Sequence, residues 1–109
     1  MAELEDDRGA DLQIETGTGA AGEPVISLAG DLDISSVDGV REVVTQATAG
    51  APAVVVFDLE RLRFLDSAGI SVLHAAAREV PSVRLRRPSK VVRRVVELTG
   101  LSEVLVIEQ

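Results

Sequence analysis

The chain has 109 residues, the size of a single domain, and 46% of them are apolar while only 2% are aromatic, so its core must be built from Val, Leu, Ile and Ala. With no cysteine and a single histidine, His74, it has no disulfide framework, thiolate nucleophile, cysteine zinc site or histidine-rich metal centre, and it suits a reducing cytosol. Eleven basic against 18 acidic residues leave a formal charge of −7. That field repels phosphate backbones and favours a basic partner surface, so nucleic acid is not the expected ligand.

Residues 1–10 are acidic and polar without a charged-then-apolar leader pattern, and are expected as a flexible N-terminus ahead of one domain over residues 11–109. No apolar run approaches the ~20 residues needed to cross a bilayer, so no membrane attachment and a cytoplasmic location are expected. Leu12-Gln13-Ile14-Glu15 alternates as an edge strand does, residues 17–22 turn, and residues 24–29 form a second strand that ends in the polar loop Gly30-Asp31-Leu32-Asp33. Ser35 or Ser36 can cap a helix whose Val37, Val40, Val43, Val44 and Ala47 recur at three- and four-residue spacing, with Gly50 and Pro52 as the stop.

Ala53-Val54-Val55-Val56-Phe57 is a continuous β-branched run of the kind covered on both faces in mid-sheet, and reads as the central strand. Residues 66–78 are rich in helix formers and broadly apolar, predicting a largely buried helix that ends near Pro81. Residues 82–86 alternate again as a strand. Val91-Val92 and Val95-Val96 recur at a helical period within residues 89–100, Gly100-Leu101 reads as the C-cap with its apolar contact, and residues 104–107 form the last strand. The order β-β-α-β-α-β-α-β predicts an α/β fold, a mixed sheet of about five strands with helices packed on it.

Two short acidic loops carry the candidate chemistry: Gly30-Asp31-Leu32-Asp33 after a strand, and Asp66-Ser67-Ala68-Gly69 before a helix. In open α/β sheets functional sites gather where strand ends meet helix starts. The segment Leu28-Ala29-Gly30-Asp31-Leu32-Asp33 with Ser36, the run Val54-Val55-Val56-Phe57-Asp58-Leu59, the stretch from Phe64 through Asp66-Ser67-Ala68-Gly69-Ile70 to Leu73, and residues 91–101 together resemble the STAS domains (sulfate transporter and anti-sigma factor antagonist), and within them the anti-anti-sigma factors.

That resemblance covers nearly the whole chain. It implies that Ser67 is phosphorylated, that the unphosphorylated form binds an anti-sigma factor with serine/threonine kinase activity and so frees a sigma factor, and that a serine phosphatase resets the switch. Asp31, Asp33, Ser36, Asp66, Ser67, Ala68, Gly69 and Ile70 are then the candidate docking residues, with Leu73 supporting the helix from below. Two departures stand out: Ala68 occupies a position where many relatives carry a second Ser or Thr, and relatives commonly run on past the last strand into another helix, where this sequence ends at Gln109. The alternative is a STAS subunit held in a transporter or multi-protein signalling assembly and never phosphorylated.

The residues can be read without the resemblance. Ser67 is suited to be the N-cap of its helix, accepting an amide hydrogen bond from near Ile70. A phosphate there would then meet free backbone amides and the positive end of the helix dipole, so the fold would tolerate it. An unmodified capping serine is the plainer alternative, as solvated loop acids are for Asp31 and Asp33. Asp31, Asp33 and Asp66 could gather Mg²⁺, but that ion usually binds through one or two carboxylates plus substrate phosphates, and no metal or cofactor is expected.

An enzyme is not expected either. His74 lies seven residues after Ser67, about two helical turns away and too far to act as its base. There is no Gly-x-Ser-x-Gly elbow and no Walker-type phosphate loop, so ATP belongs to a kinase partner. Arg84, Arg86, Arg87, Lys90, Arg93 and Arg94 hold six of the eleven basic residues and read as a solvated face ahead of an anion-binding patch.

Overall fold

A computed structural model of the chain describes residues 12–108. The acidic residues 1–10 expected as a flexible start lie outside the described residues, as do Asp11 and Gln109. Five strands, β1 (Leu12–Thr18), β2 (Pro24–Leu32), β3 (Val54–Leu65), β4 (Ser82–Arg86) and β5 (Val106–Glu108), form one sheet in sequence order. Three helices, α1 (Val37–Thr48), α2 (Ser67–Glu79) and α3 (Lys90–Leu98), make the crossovers, and a 3₁₀ turn (Leu101–Glu103) leads into β5.

β1 and β2 pair antiparallel through a tight turn in which Gly19 N–H donates to the Glu23 carbonyl at 2.8 Å and Gly22 adopts φ +85°, a left-handed conformation that favours glycine. The other three pairings are parallel. Each parallel step moves the chain the same way across the sheet, and right-handed crossovers therefore set all three helices on one face. The buried side chains bear this out. Leu12, Ile26, Leu28, Phe57, Leu59, Val83 and Leu85 from the strands join Val37, Val40, Val44, Val72, Leu73, Ala76, Val92 and Val96 from the helices in one core. Each such Val or Leu stabilises the fold by about 1.5–3 kcal/mol through the water it sheds.

Among the described residues all three helices lie on one face of the sheet, and the central strand is nonetheless buried on both faces, as its sequence predicts, with Val55 and Phe57 toward the helices and Val56 on the other side. On that side Val56 pairs with Val25 of β2 and Arg84 of β4. β3 is also longer than the five-residue run predicted for it. Its pairing with β2 slips between Ser27 and Ala29 and again between Gly30 and Asp31, each slip adding a residue on the β3 side. Beyond Phe57 its inward residues are therefore Leu59, Leu62 and Leu65, a spacing of three that hides the strand from a period-two reading.

Smaller differences have local causes. α1 stops at Thr48, and the residue that turns left-handed is Ala51 (φ +53°), not Gly50. α2 is amphipathic rather than largely buried: Gly69, Val72, Leu73 and Ala76 face the core while Ser71, His74, Ala75 and Arg78 are exposed. β4 falls where the alternation placed it. Ser89 caps α3 by accepting the Val92 amide at 3.2 Å, and Gly100 at φ +80° closes that helix beside the buried Leu101.

Candidate functional site

The two acidic loops meet at the C-terminal ends of β2 and β3. Asp31 and Leu32 pair with Phe64 and Leu65, and the ladder continues into the turn, where the Asp66 amide donates to the Leu32 carbonyl at 3.2 Å. The loop into α1 therefore runs beside the first turn of α2. Gly69 makes the approach possible: a Cβ there would come within 2.9 Å of the Leu32 Cγ and 3.1 Å of its carbonyl oxygen.

Asp66, not Ser67, is the N-cap of α2. Its backbone is extended (φ −108°, ψ −166°), and its Oδ1 accepts the amides of Ala68 at 2.9 Å and Gly69 at 3.3 Å while its carbonyl accepts Ile70 N–H at 3.0 Å. Its second oxygen, Oδ2, accepts the Ile34 amide of the neighbouring loop at 3.3 Å. One carboxylate thus satisfies donors on both loops and places its charge at the positive end of the helix dipole. Ser67 becomes the first helical residue. It is exposed, and its hydroxyl has no hydrogen-bond partner among the described residues.

The first loop is built by its own side chains. Asp33 Oδ1 accepts the Ser35 hydroxyl at 2.7 Å and the Ser35 amide at 3.0 Å. Ser36 Oγ donates to the Asp31 carbonyl at 3.0 Å and accepts the Asp33 amide at 3.1 Å. Ser36 stands at the N-cap position of α1 yet makes no side-chain cap bond, because its hydroxyl is spent on this turn. The Ser35 hydroxyl is foremost in holding the Asp33 carboxyl below the ordinary aspartate range; slight desolvation opposes it, and the amides of Ser35 and Ser36 and the Ser36 hydroxyl add to it. Asp31 has a charged partner, Arg63 Nε at 3.4 Å, in an exposed pair.

The sequence-predicted residues are thus brought together, in different roles. Asp31, Asp33, Ser36 and Asp66 are half-buried and bind backbone or each other; Ser67 is the exposed tip. Gly69 is buried, so it shapes the turn and offers no surface. Ala68 and Ile70 lie partly buried against the core and Leu73 lies wholly within it. Two residues received no site role from the sequence, Ile34, 75% exposed, and Phe64, 46% exposed, the latter read only as part of the family stretch; both stand at this end of the sheet. The available signal was an isolated isoleucine amid Asp33, Ser35 and Ser36. His74 is exposed farther along α2, and no group of three or more acidic or histidine side chains able to hold a metal ion occurs among the described residues.

A five-stranded mixed sheet with its described helices on one face presents the exposed Ser67 beside two acidic loops. The family model described as "Mlab, STAS domain" matches residues 16–107. An anti-sigma F factor antagonist of Lysinibacillus sphaericus is 33% identical over 82 residues, 71% of this chain and 70% of that protein. Among solved structures, an anti-sigma factor antagonist of Mycobacterium paratuberculosis superposes with a TM-score of 0.82 at 22% identity, over 89% of this chain and 85% of that one. The anti-sigma factor antagonist SpoIIAA in its unphosphorylated form does so at 0.75 and 26%, over 89% of each chain. The chain belongs to the STAS domain family, and the relatives named above are anti-sigma factor antagonists.

Proposed function

We propose that this chain is an anti-sigma factor antagonist: its unphosphorylated Ser67 loop docks on an anti-sigma factor with serine/threonine kinase activity in the cytoplasm and releases a sigma factor. Phosphorylation of Ser67 ends the complex, and a serine phosphatase restores it. The observation that carries the reading is the exposed Ser67 hydroxyl, without a hydrogen-bond partner among the described residues, beside two loops whose acids are held in place by backbone amides. SpoIIAA, 26% identical, has been solved in a phosphorylated form as well, which supports a modification site in this fold.

The cap geometry sharpens how such a switch works. Asp66 already occupies the amides of Ala68 and Gly69, so a phosphate on Ser67 finds a carboxylate where free amides were expected and is driven outward. It adds about −1.5 to −2 charge to the surface. Against an acidic partner group about 6 Å away, each added unit costs about 2–3 kcal/mol at an effective dielectric near 20. Since about 1.4 kcal/mol is tenfold in affinity, one such contact suffices to break a complex.

Intact-mass measurement and peptide mapping of the protein from its native cells, with Ser67→Ala as control, test this. One phosphate located on Ser67 and absent from the variant is expected. A Ser67 unmodified under every growth condition, with the chain co-purifying in one transporter assembly, would sink the proposal in favour of a permanent structural subunit.

A further inference from the structure

Building on that docking role, we infer that Ile34 is the apolar anchor of the interface, received by an apolar socket on the anti-sigma factor whose rim is basic toward Asp31 and Asp33 and acidic only where it faces Ser67. Among the large apolar side chains of the described residues Ile34 is the most exposed, at 75%. The fold uses only its backbone: the amide donates to Asp66 Oδ2 at 3.3 Å, a bond any non-proline residue would make. The side chain's size and apolarity therefore have no structural cause in this loop.

The loop holds that side chain out. Asp33 is bound to Ser35 on one side of it, Ser36 N–H closes the turn on the Asp33 carbonyl at 3.0 Å, and Asp66 fixes Ile34 itself. A loop whose backbone is already ordered in this way loses little freedom on binding. Phe64, across the β2–β3 ladder from Asp31, adds a second partly exposed apolar surface at the same end of the sheet.

Charge selects the occupant. Asp33 and Asp66 flank the Ile34 backbone, their charges bound to amides and hydroxyls rather than to cations, and Asp31 keeps one exposed arginine partner. An apolar centre with an anionic rim fits a socket that is basic toward Asp31 and Asp33, while the partner's acidic group stands opposite Ser67. It does not fit a second copy of a chain with net charge −7, whose own acidic loops would face these. The other exposed apolar residues, Val91, Leu98, Val104 and Val106, lie on α3 and the chain that follows it, outside the two acidic loops.

The test is calorimetric titration and stopped-flow binding of the anti-sigma factor kinase encoded by the same organism, using wild type and Ile34→Ala. The inference expects Ile34→Ala to weaken binding about 30-fold, chiefly by faster dissociation, with an unchanged melting temperature because the side chain is exposed. Added salt should slow association of both proteins alike. Unaltered affinity of Ile34→Ala for a kinase that wild type binds overturns the anchor and leaves the proposed function standing. A wild type that binds no such kinase overturns both. A wild-type dimer that Ile34→Ala dissolves overturns the anchor in favour of self-association.

Discussion

Two charged regions of this small domain neutralise their acids in opposite ways. At the ends of β2 and β3, Asp33 and Asp66 spend their oxygens on backbone amides and the Ser35 hydroxyl. On the face of the sheet opposite the described helices the acids pair with arginines: Arg87 Nη2 lies 3.0 Å from Asp58 and 3.4 Å from Glu60, while Arg84 and Arg86 reach Glu108 at 3.4 and 3.7 Å. Amide dipoles hold a carboxylate in place without cancelling its charge, whereas a guanidinium cancels it. The first region therefore still projects a negative field to a partner and the second is largely self-contained. This explains why the basic cluster of the sequence offers little to an anion: Arg84, Arg86 and Arg87 are occupied, and Lys90, Arg93 and Arg94 lie apart on α3.

Substitutions at the two regions should separate them, the largest effect coming at the turn. Gly69→Val would drive a side chain into Leu32 and is expected to cost about 2 kcal/mol, lowering the melting temperature by about 10 °C. Asp66→Ala removes the cap of α2 together with the link to Ile34, for a loss of about 1–2 kcal/mol by denaturant unfolding. Asp66→Asn should lose less, because its amide oxygen can still cap, yet it should speed hydrogen exchange at the Ile34 amide, where no second acceptor oxygen remains.

Smaller effects follow from the single groups. The Asp33 carboxyl titrates below the ordinary aspartate range, with the Ser35 hydroxyl as the main cause. A depressed folded value contributes stability above the ordinary aspartate pKa and loses it as pH falls through the folded value. Carboxyl NMR titration should therefore show Asp33 moving up toward the ordinary range in Ser35→Ala. Smallest of all, Arg87→Ala should change the melting temperature less than Asp66→Ala does, since its ion pairs are exposed. Arg87→Gly should recover part of that change because Arg87 sits at φ +53°. If Arg87→Ala proved the more damaging, the arginine face would be the structural keystone and the contrast would fail.

Much of the architecture was legible in the sequence because the periodicities are simple: β4 buries Val83 and Leu85, α1 buries Val37, Val40 and Val44 with Val43 and Ala47 partly covered, and α3 buries Val92 and Val96 of its two valine pairs while Val91 stays exposed. β3 was cut short since its two slips replace the alternating pattern with Leu59, Leu62 and Leu65. At the site, the residues were legible and their roles were not. Asp66 and Ser67 are both good caps, and which one ends the strand depends on the Leu32 carbonyl that receives the Asp66 amide. Ile34 escaped notice because its meaning lies in exposure, which a sequence does not display.

The central claim, that the charge state of Ser67 sets partner affinity, is tested most directly by titrating the anti-sigma factor kinase with the unphosphorylated chain and with the chain phosphorylated on Ser67. The account predicts a loss of about 100-fold or more in affinity on phosphorylation, with the melting temperature and the Ile34–Asp66 contact retained. Equal affinity of the two forms would contradict it.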